Sequence, residues 1–85
     1  MMSKKRSLEK ISNFVQKLRT KSELEDFFVG ILTPAEIETI ATRMEIVRML
    51  KKNIPQQKIA QTLKVGIATV TRGSRELKQG RFRYV

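Results

Sequence analysis

Apolar residues recur along this chain at three- and four-residue steps, the period of helices that bury one face. Leu8, Ile11, Phe14, Val15 and Leu18 form the first stripe. Ser7 can cap its start, and the cations at Arg19–Lys21 suit its negative end. Ser22-Glu23-Leu24-Glu25 reads as a capping box that opens a short second helix. Leu24, Phe27, Phe28 and Ile31 would face inward there, with Gly30 letting the helix stop. Thr33-Pro34-Ala35-Glu36 is the best helix start in the sequence: a capping Thr, a Pro whose missing N–H is not needed, and a Glu three residues on. Ile37, Ile40, Ala41, Met44, Val47 and Leu50 then hold helical spacing, and Ile46 and Met49 add a second apolar edge. That stripe is wider than one partner helix needs, which implies a subunit interface. Asn53 is placed to cap a fourth helix, with Pro55 in its first turn and Gln56 completing the box. Its inner face is Ile59, Ala60 and Leu63. Lys64-Val65-Gly66 is the turn, Gly66 supplying backbone freedom, and a fifth helix runs from about Ile67 to Gln79 with Val70 and Leu77 inward. There is no strand alternation, repeat or low-complexity tract. The expected class is all-α.

The last two helices carry the chemistry. A helix-turn-helix needs a small residue where its helices cross, apolar glue between them, and a second helix with an exposed N-terminal end. Ala60 is the small residue; Ile59, Leu63, Val65 and Val70 are the glue. Ile67, Ala68, Thr69, Thr71, Arg72 and Arg75 are left outside. Ala and the Thr methyl can meet thymine methyls, and Thr hydroxyls can meet base edges or phosphates. Arg75 and Lys78 suit phosphates, and Gln56 and Gln57 sit where the first helix of the pair would cross the DNA backbone. Gly73 stands inside the fifth helix at a cost of roughly 1 kcal/mol against Ala, so something must approach its backbone closely.

Charge strengthens this reading. The 85-residue chain has a net charge of +10. Residues 1–22 carry seven Lys/Arg against one Glu, residues 23–45 six acids against Arg43, and residues 46–85 ten Lys/Arg against Glu76. An acidic scaffold between two basic ends fits a polyanionic partner. There is no Cys and no His, which removes a disulfide framework and the commonest metal ligand and general base. Nothing offers a nucleophile–base pair, a metal cluster or a phosphate-cradling glycine loop, so an enzyme is not expected. One domain of this length buries only roughly 60% of its unfolded surface, and oligomerisation is the obvious supplement. Lys4-Lys5-Arg6 is not followed by the apolar stretch of a signal peptide, and the apolar run Phe27 to Leu32 is far too short to span a bilayer. The expectation is a soluble, cytoplasmic protein.

Gly66-Ile67-Ala68-Thr69-Val70-Thr71-Arg72-Gly73-Ser74, with Leu77-Lys78 behind it, closely resembles the recognition-helix signature of the Trp repressor family. Leu32-Thr33-Pro34 and Thr42-Arg43-x-x-Ile46-Val47 resemble that family's central-helix motifs in the same order. The resemblance implies a five-helix intertwined homodimer on a palindromic operator in double-stranded DNA. Its half-sites would lie about 34–36 Å apart, the spacing of helix-turn-helix dimers, the Trp repressor among them. It further implies a corepressor, L-tryptophan or a relative, and no other cofactor or metal. By resemblance the indole would lie between Arg43 and Arg72, with Arg72 also meeting the carboxylate. Thr33 would add a hydroxyl, Gly30 and Leu32 would offer backbone carbonyls to the ammonium group, and Gly73 would leave room for the ring. Glu76 stands where the family has a Ser near the ammonium; its carboxylate could pair with the ligand or with Arg43. Gln57 and Ala60 replace basic residues, Arg75 replaces an Asn, and the family's last helix has little counterpart after Gly80. The junction at Asn53–Pro55 is one residue shorter.

The chain therefore divides, as a single Trp-repressor-like domain, into a basic arm expected to fray (1–6), a helical dimerisation scaffold (7–52), a helix-turn-helix (53–79) and a basic tail (80–85). The function expected is a DNA-binding transcriptional regulator, a repressor gated by a small molecule. Two alternatives stand beside it: a ligand-independent regulator, and a helical protein-interaction module that never touches DNA. The plain reading of Arg43 is a surface cation paired with Glu38 or Glu45, and that of Arg72 a phosphate contact alone.

Overall fold

A computed structural model of the chain describes residues 3–85. All regular structure in it is helical: α1 (Lys4–Val15), α2 (Lys21–Ile31), α3 (Pro34–Lys51), α4 (Gln56–Leu63) and α5 (Ile67–Lys78). The all-α expectation and the number of helices hold. Their ends differ from the expected ones at several points, each for a local reason.

α1 begins earlier than Ser7. Ser3 caps it, its hydroxyl accepting from the Arg6 N–H at 3.2 Å. Lys4, Lys5 and Arg6 are good helix formers and lie inside the first turn. Of the arm expected to fray, Met1 and Met2 lie outside the described residues. α1 also ends at Val15, short of Arg19–Lys21, because the next helix claims the connector. Thr20, with an extended backbone, is the N-cap of α2, and its hydroxyl accepts from the Glu23 N–H at 3.1 Å. The Glu23 carboxylate reaches back to the Arg19 N–H at 3.2 Å. The capping box is thus Thr20-x-x-Glu23, and Ser22 is the second residue of the helix. Gly30 does not terminate α2. It lies within the helix, which stops where Thr33 precedes Pro34 and is barred from helical geometry.

The chain falls into two compact units, residues up to 34 and residues 35–85. In the first, Phe14 packs on Phe27 with ring centroids 4.8 Å apart, and Phe27 on Phe28 at 5.4 Å. Leu24 and Phe27 are half-buried, whereas Ile31 is 64% exposed. The second unit contains the core. Ile46 of α3, Ile59 of α4 and Val70 of α5 are buried together, with Met49, Leu50, Ile54, Ala60, Leu63 and Val65 packed around them. Val47 is buried as well, whereas Ile37, Ile40 and Met44 at the other end of the α3 stripe are exposed in the single chain.

α3 closes at Asn53, which does not cap α4. Asn53 adopts the left-handed conformation, φ 61°. Its N–H bonds the Leu50 carbonyl at 2.9 Å, and the Ile54 N–H bonds Met49 at 3.2 Å, which is the Schellman pattern. Asn tolerates that backbone better than other side chains. The N-cap of α4 is Pro55, and no side chain caps it. The turn after α4 holds the other surprise. Gly66 is in an ordinary extended conformation, φ −68°, and nothing lies within 4 Å of where its Cβ would be. The left-handed residue is Lys64, φ 56° and ψ 46°, which closes α4 while the Val65 N–H bonds the Ala60 carbonyl at 3.1 Å. Backbone freedom is needed at Lys64 and not at Gly66.

α5 ends in the same Schellman pattern, with Gly80 at φ 90°, its N–H on the Leu77 carbonyl and the Arg81 N–H on that of Glu76. Here a glycine stands where one is required. The tail then turns back to α3. The Lys51 ammonium donates to the backbone oxygens of Phe82 at 2.6 Å and Val85 at 2.7 Å.

Candidate nucleic-acid interface

α5 is strongly two-faced. Val70 and Ser74 are buried, and Leu77 is half-buried. Gly73 faces α3: a Cβ there would lie 3.3 Å from Ile46 Cγ2 and 3.6 Å from Leu50 Cδ1. This close approach gives the helical glycine a packing reason. On the outer face Ile67, Ala68, Thr71, Arg72, Arg75 and Lys78 are exposed. Among the described residues, no carboxylate pairs with Arg72, Arg75 or Lys78, so their charge is free to meet an anion. Thr69 is half-buried and turns toward α3.

α4 and α5 pack against each other, and a side-chain bond ties their outer edges. The Thr71 hydroxyl donates to Gln56 Oε1 at 3.0 Å. Two expected DNA contacts, one from each helix, are thereby joined. Gln57, beside Gln56, is exposed.

A recess of about 320 Å³ opens beside the N-terminal end of α5. Thr39, Thr42 and Arg43 of α3 line one side; Val65, Gly66 and Thr69 line the other. Arg43 is its only cation, and no carboxylate lines it. The Thr39 hydroxyl donates to the Ala35 carbonyl at 2.9 Å. The structure thus brings Arg43 to Thr69. Arg72 is exposed and outside this wall, and Gly73 faces Ile46 and Leu50 instead. Gly30, Leu32 and Thr33 belong to the other unit. Arg43 pairs with neither Glu38 nor Glu45; Glu45 lies 3.9 Å from Arg48. Glu76 pairs with neither Arg43 nor Arg72, its carboxylate lying 3.5 Å from Arg81 Nε.

Three residues here escaped the sequence. Thr39 and Thr42 become wall residues only because α3 lies alongside the turn. Lys64 carried no signal, since a lysine after a helix reads as an ordinary polar turn.

A family model described as Trp repressor protein matches residues 6–85. The Trp operon repressor homolog of Actinobacillus succinogenes is 38% identical over 77 residues, 86% of this chain and 76% of that protein. That of Mannheimia succiniciproducens is 39% identical over the same shares. This chain belongs to the Trp repressor family. A Trp operon repressor homolog of Vibrio vulnificus is 53% identical over a shorter stretch of 49 residues, 56% of this chain and 48% of that protein. No solved structure matches the chain. Members of the Trp repressor family are DNA-binding transcription regulators of repressor type and not enzymes. α4 and α5 form its helix-turn-helix pair. Among the described residues, no helix is long and apolar enough to cross a membrane.

Proposed function

We propose that two copies of this chain form an operator-binding repressor of the cytoplasm, and that L-tryptophan or a related aromatic amino acid tightens its grip on DNA. The outer face of α5 carries the reading. It presents Ile67, Ala68 and Thr71 at the tip and unpaired Arg72, Arg75 and Lys78 behind, over a buried face that fixes their direction. Such a helix suits the major groove of a palindromic site in double-stranded DNA. The exposed Ile37, Ile40 and Met44 on α3 support a second copy as the missing cover.

The ligand part rests on Arg43, whose planar guanidinium in an open recess suits an aromatic face. A ligand bound there raises DNA affinity only by its preference for the DNA-competent head angle. The test is operator selection from random duplexes with and without L-tryptophan, followed by calorimetry with the same ligand. DNA affinity that falls linearly with salt on log–log axes supports the reading head, and its absence overturns it. Heat on adding L-tryptophan supports the corepressor; no heat with operator binding intact overturns it. That last result would establish the second reading, a ligand-independent regulator, which the position of Arg72 outside the recess favours.

A further inference from the structure

Among the described residues, three other than glycine adopt a positive φ: Asn53, Lys64 and Phe82. Two have local reasons. Asn is the side chain that enters this region most readily, and Phe82 has its backbone oxygen held by Lys51. Lys64 closes α4 as Asn53 closes α3, but with a side chain that has no special ease in that backbone. Its side chain is exposed and, among the described residues, makes no hydrogen bond or ion pair. A glycine would adopt this conformation without strain. A strained position held by a residue whose side chain bonds nothing inside the fold points outward, to a partner.

We propose that Lys64 is a further DNA contact of the reading head, its ammonium closing on a backbone phosphate at the lip of the groove that α5 enters. This inference rests on the DNA-binding reading of α4 and α5. Lys64 lies three residues before Ile67, so the two Cα atoms are at most about 11 Å apart, and the lysine side chain extends about 6 Å. The major groove is about 12 Å wide. A head with the tip of α5 among the base edges therefore holds the Lys64 ammonium within reach of the flanking phosphates. The contact carries no sequence information; it sets grip and register. It also adds a cation at the turn after α4, whose first turn carries the neutral Gln56 and Gln57 beside the exposed Lys58.

The experiment measures affinity for a selected operator duplex across a potassium chloride series, using the full chain, Lys64→Gly, Lys64→Asn and Lys64→Arg. Loss of one phosphate contact lowers the log–log salt slope by about 0.9 for each Lys64 engaged. Lys64→Gly is expected to bind on the order of tenfold more weakly near physiological salt, with that smaller slope and a thermal midpoint no lower than the parent's. Lys64→Asn gives the same loss through a side chain that accepts the backbone, which covers any folding failure of the glycine variant. Lys64→Arg keeps both affinity and slope. Unchanged affinity and slope in Lys64→Gly and Lys64→Asn overturn the inference. A parent chain with no salt-dependent binding instead overturns the reading-head assignment itself.

Discussion

A methyl group added at Gly73 would press on Ile46 Cγ2 at 3.3 Å, and Ile46, only 1% exposed, has nowhere to retreat. Ala gains about 1 kcal/mol in helix propensity over Gly. Overpacking a tight core typically loses 1–3 kcal/mol. Gly73→Ala is therefore expected to destabilise the chain by about 1 kcal/mol, read as a lower urea midpoint at unchanged slope. Lys64 gives the opposite sign. The left-handed conformation costs a non-glycine residue roughly 1–2 kcal/mol, while a cation at an exposed helix C-terminus returns only a few tenths. Lys64→Gly should gain about 1 kcal/mol of stability in the same assay. At this scale the sequence was half legible. Gly73 announced a close approach, because a glycine in the middle of a helix costs about 1 kcal/mol against Ala. What approaches it, the flank of α3, depends on packing. Gly66 drew the eye as a turn glycine, yet the strain sits at Lys64, since the chain's hand at that point is set by how α4 closes.

The helices themselves were legible because apolar spacing leaves little choice about which segments are helical. Their boundaries were not, because the sequence offers rival caps. Thr20-x-x-Glu23 and Ser22-x-x-Glu25 both satisfy the capping-box pattern and overlap. The structure uses the first. Removing a working N-cap costs about 1 kcal/mol. Thr20→Ala should lose that much and speed amide exchange in the first turn of α2, whereas Ser22→Ala should change little. In the head, Thr71 and Gln56 hold each other. Thr71→Ala removes the hydroxyl that donates to Gln56 and leaves Gln56 unrestrained. It should weaken operator binding in an anisotropy titration and leave L-tryptophan binding, read by calorimetry, unaltered.

For the whole molecule, the outer face of α5 could be read from one amphipathic period, whereas the recess could not. Its walls come from α3 and from the turn, and no local pattern says that Thr39, Thr42 and Arg43 stand beside Gly66 and Thr69. Arg43→Ala removes the recess's only cation. A coupled site of this kind typically changes affinity about 5–150-fold. The expected outcome is a ligand-dependent rise in operator affinity that falls to none, with salt-dependent binding to unrelated DNA preserved. The way α5 is fastened gives that coupling a mechanical form. At Gly73 it lies hard against α3, and beyond Gly80 the tail is gripped by Lys51. Its N-terminal end abuts open space. α5 is thus a lever with its fulcrum near Gly73 and its working end about 10 Å away at Gly66, on a rise of 1.5 Å per residue. A tilt of about 10° about that fulcrum moves the tip by about 2 Å. In the proposed repressor a wedge beside Arg43 would act at the far end of that arm, where a small displacement would set how far Ala68 and Thr71 reach toward a base edge.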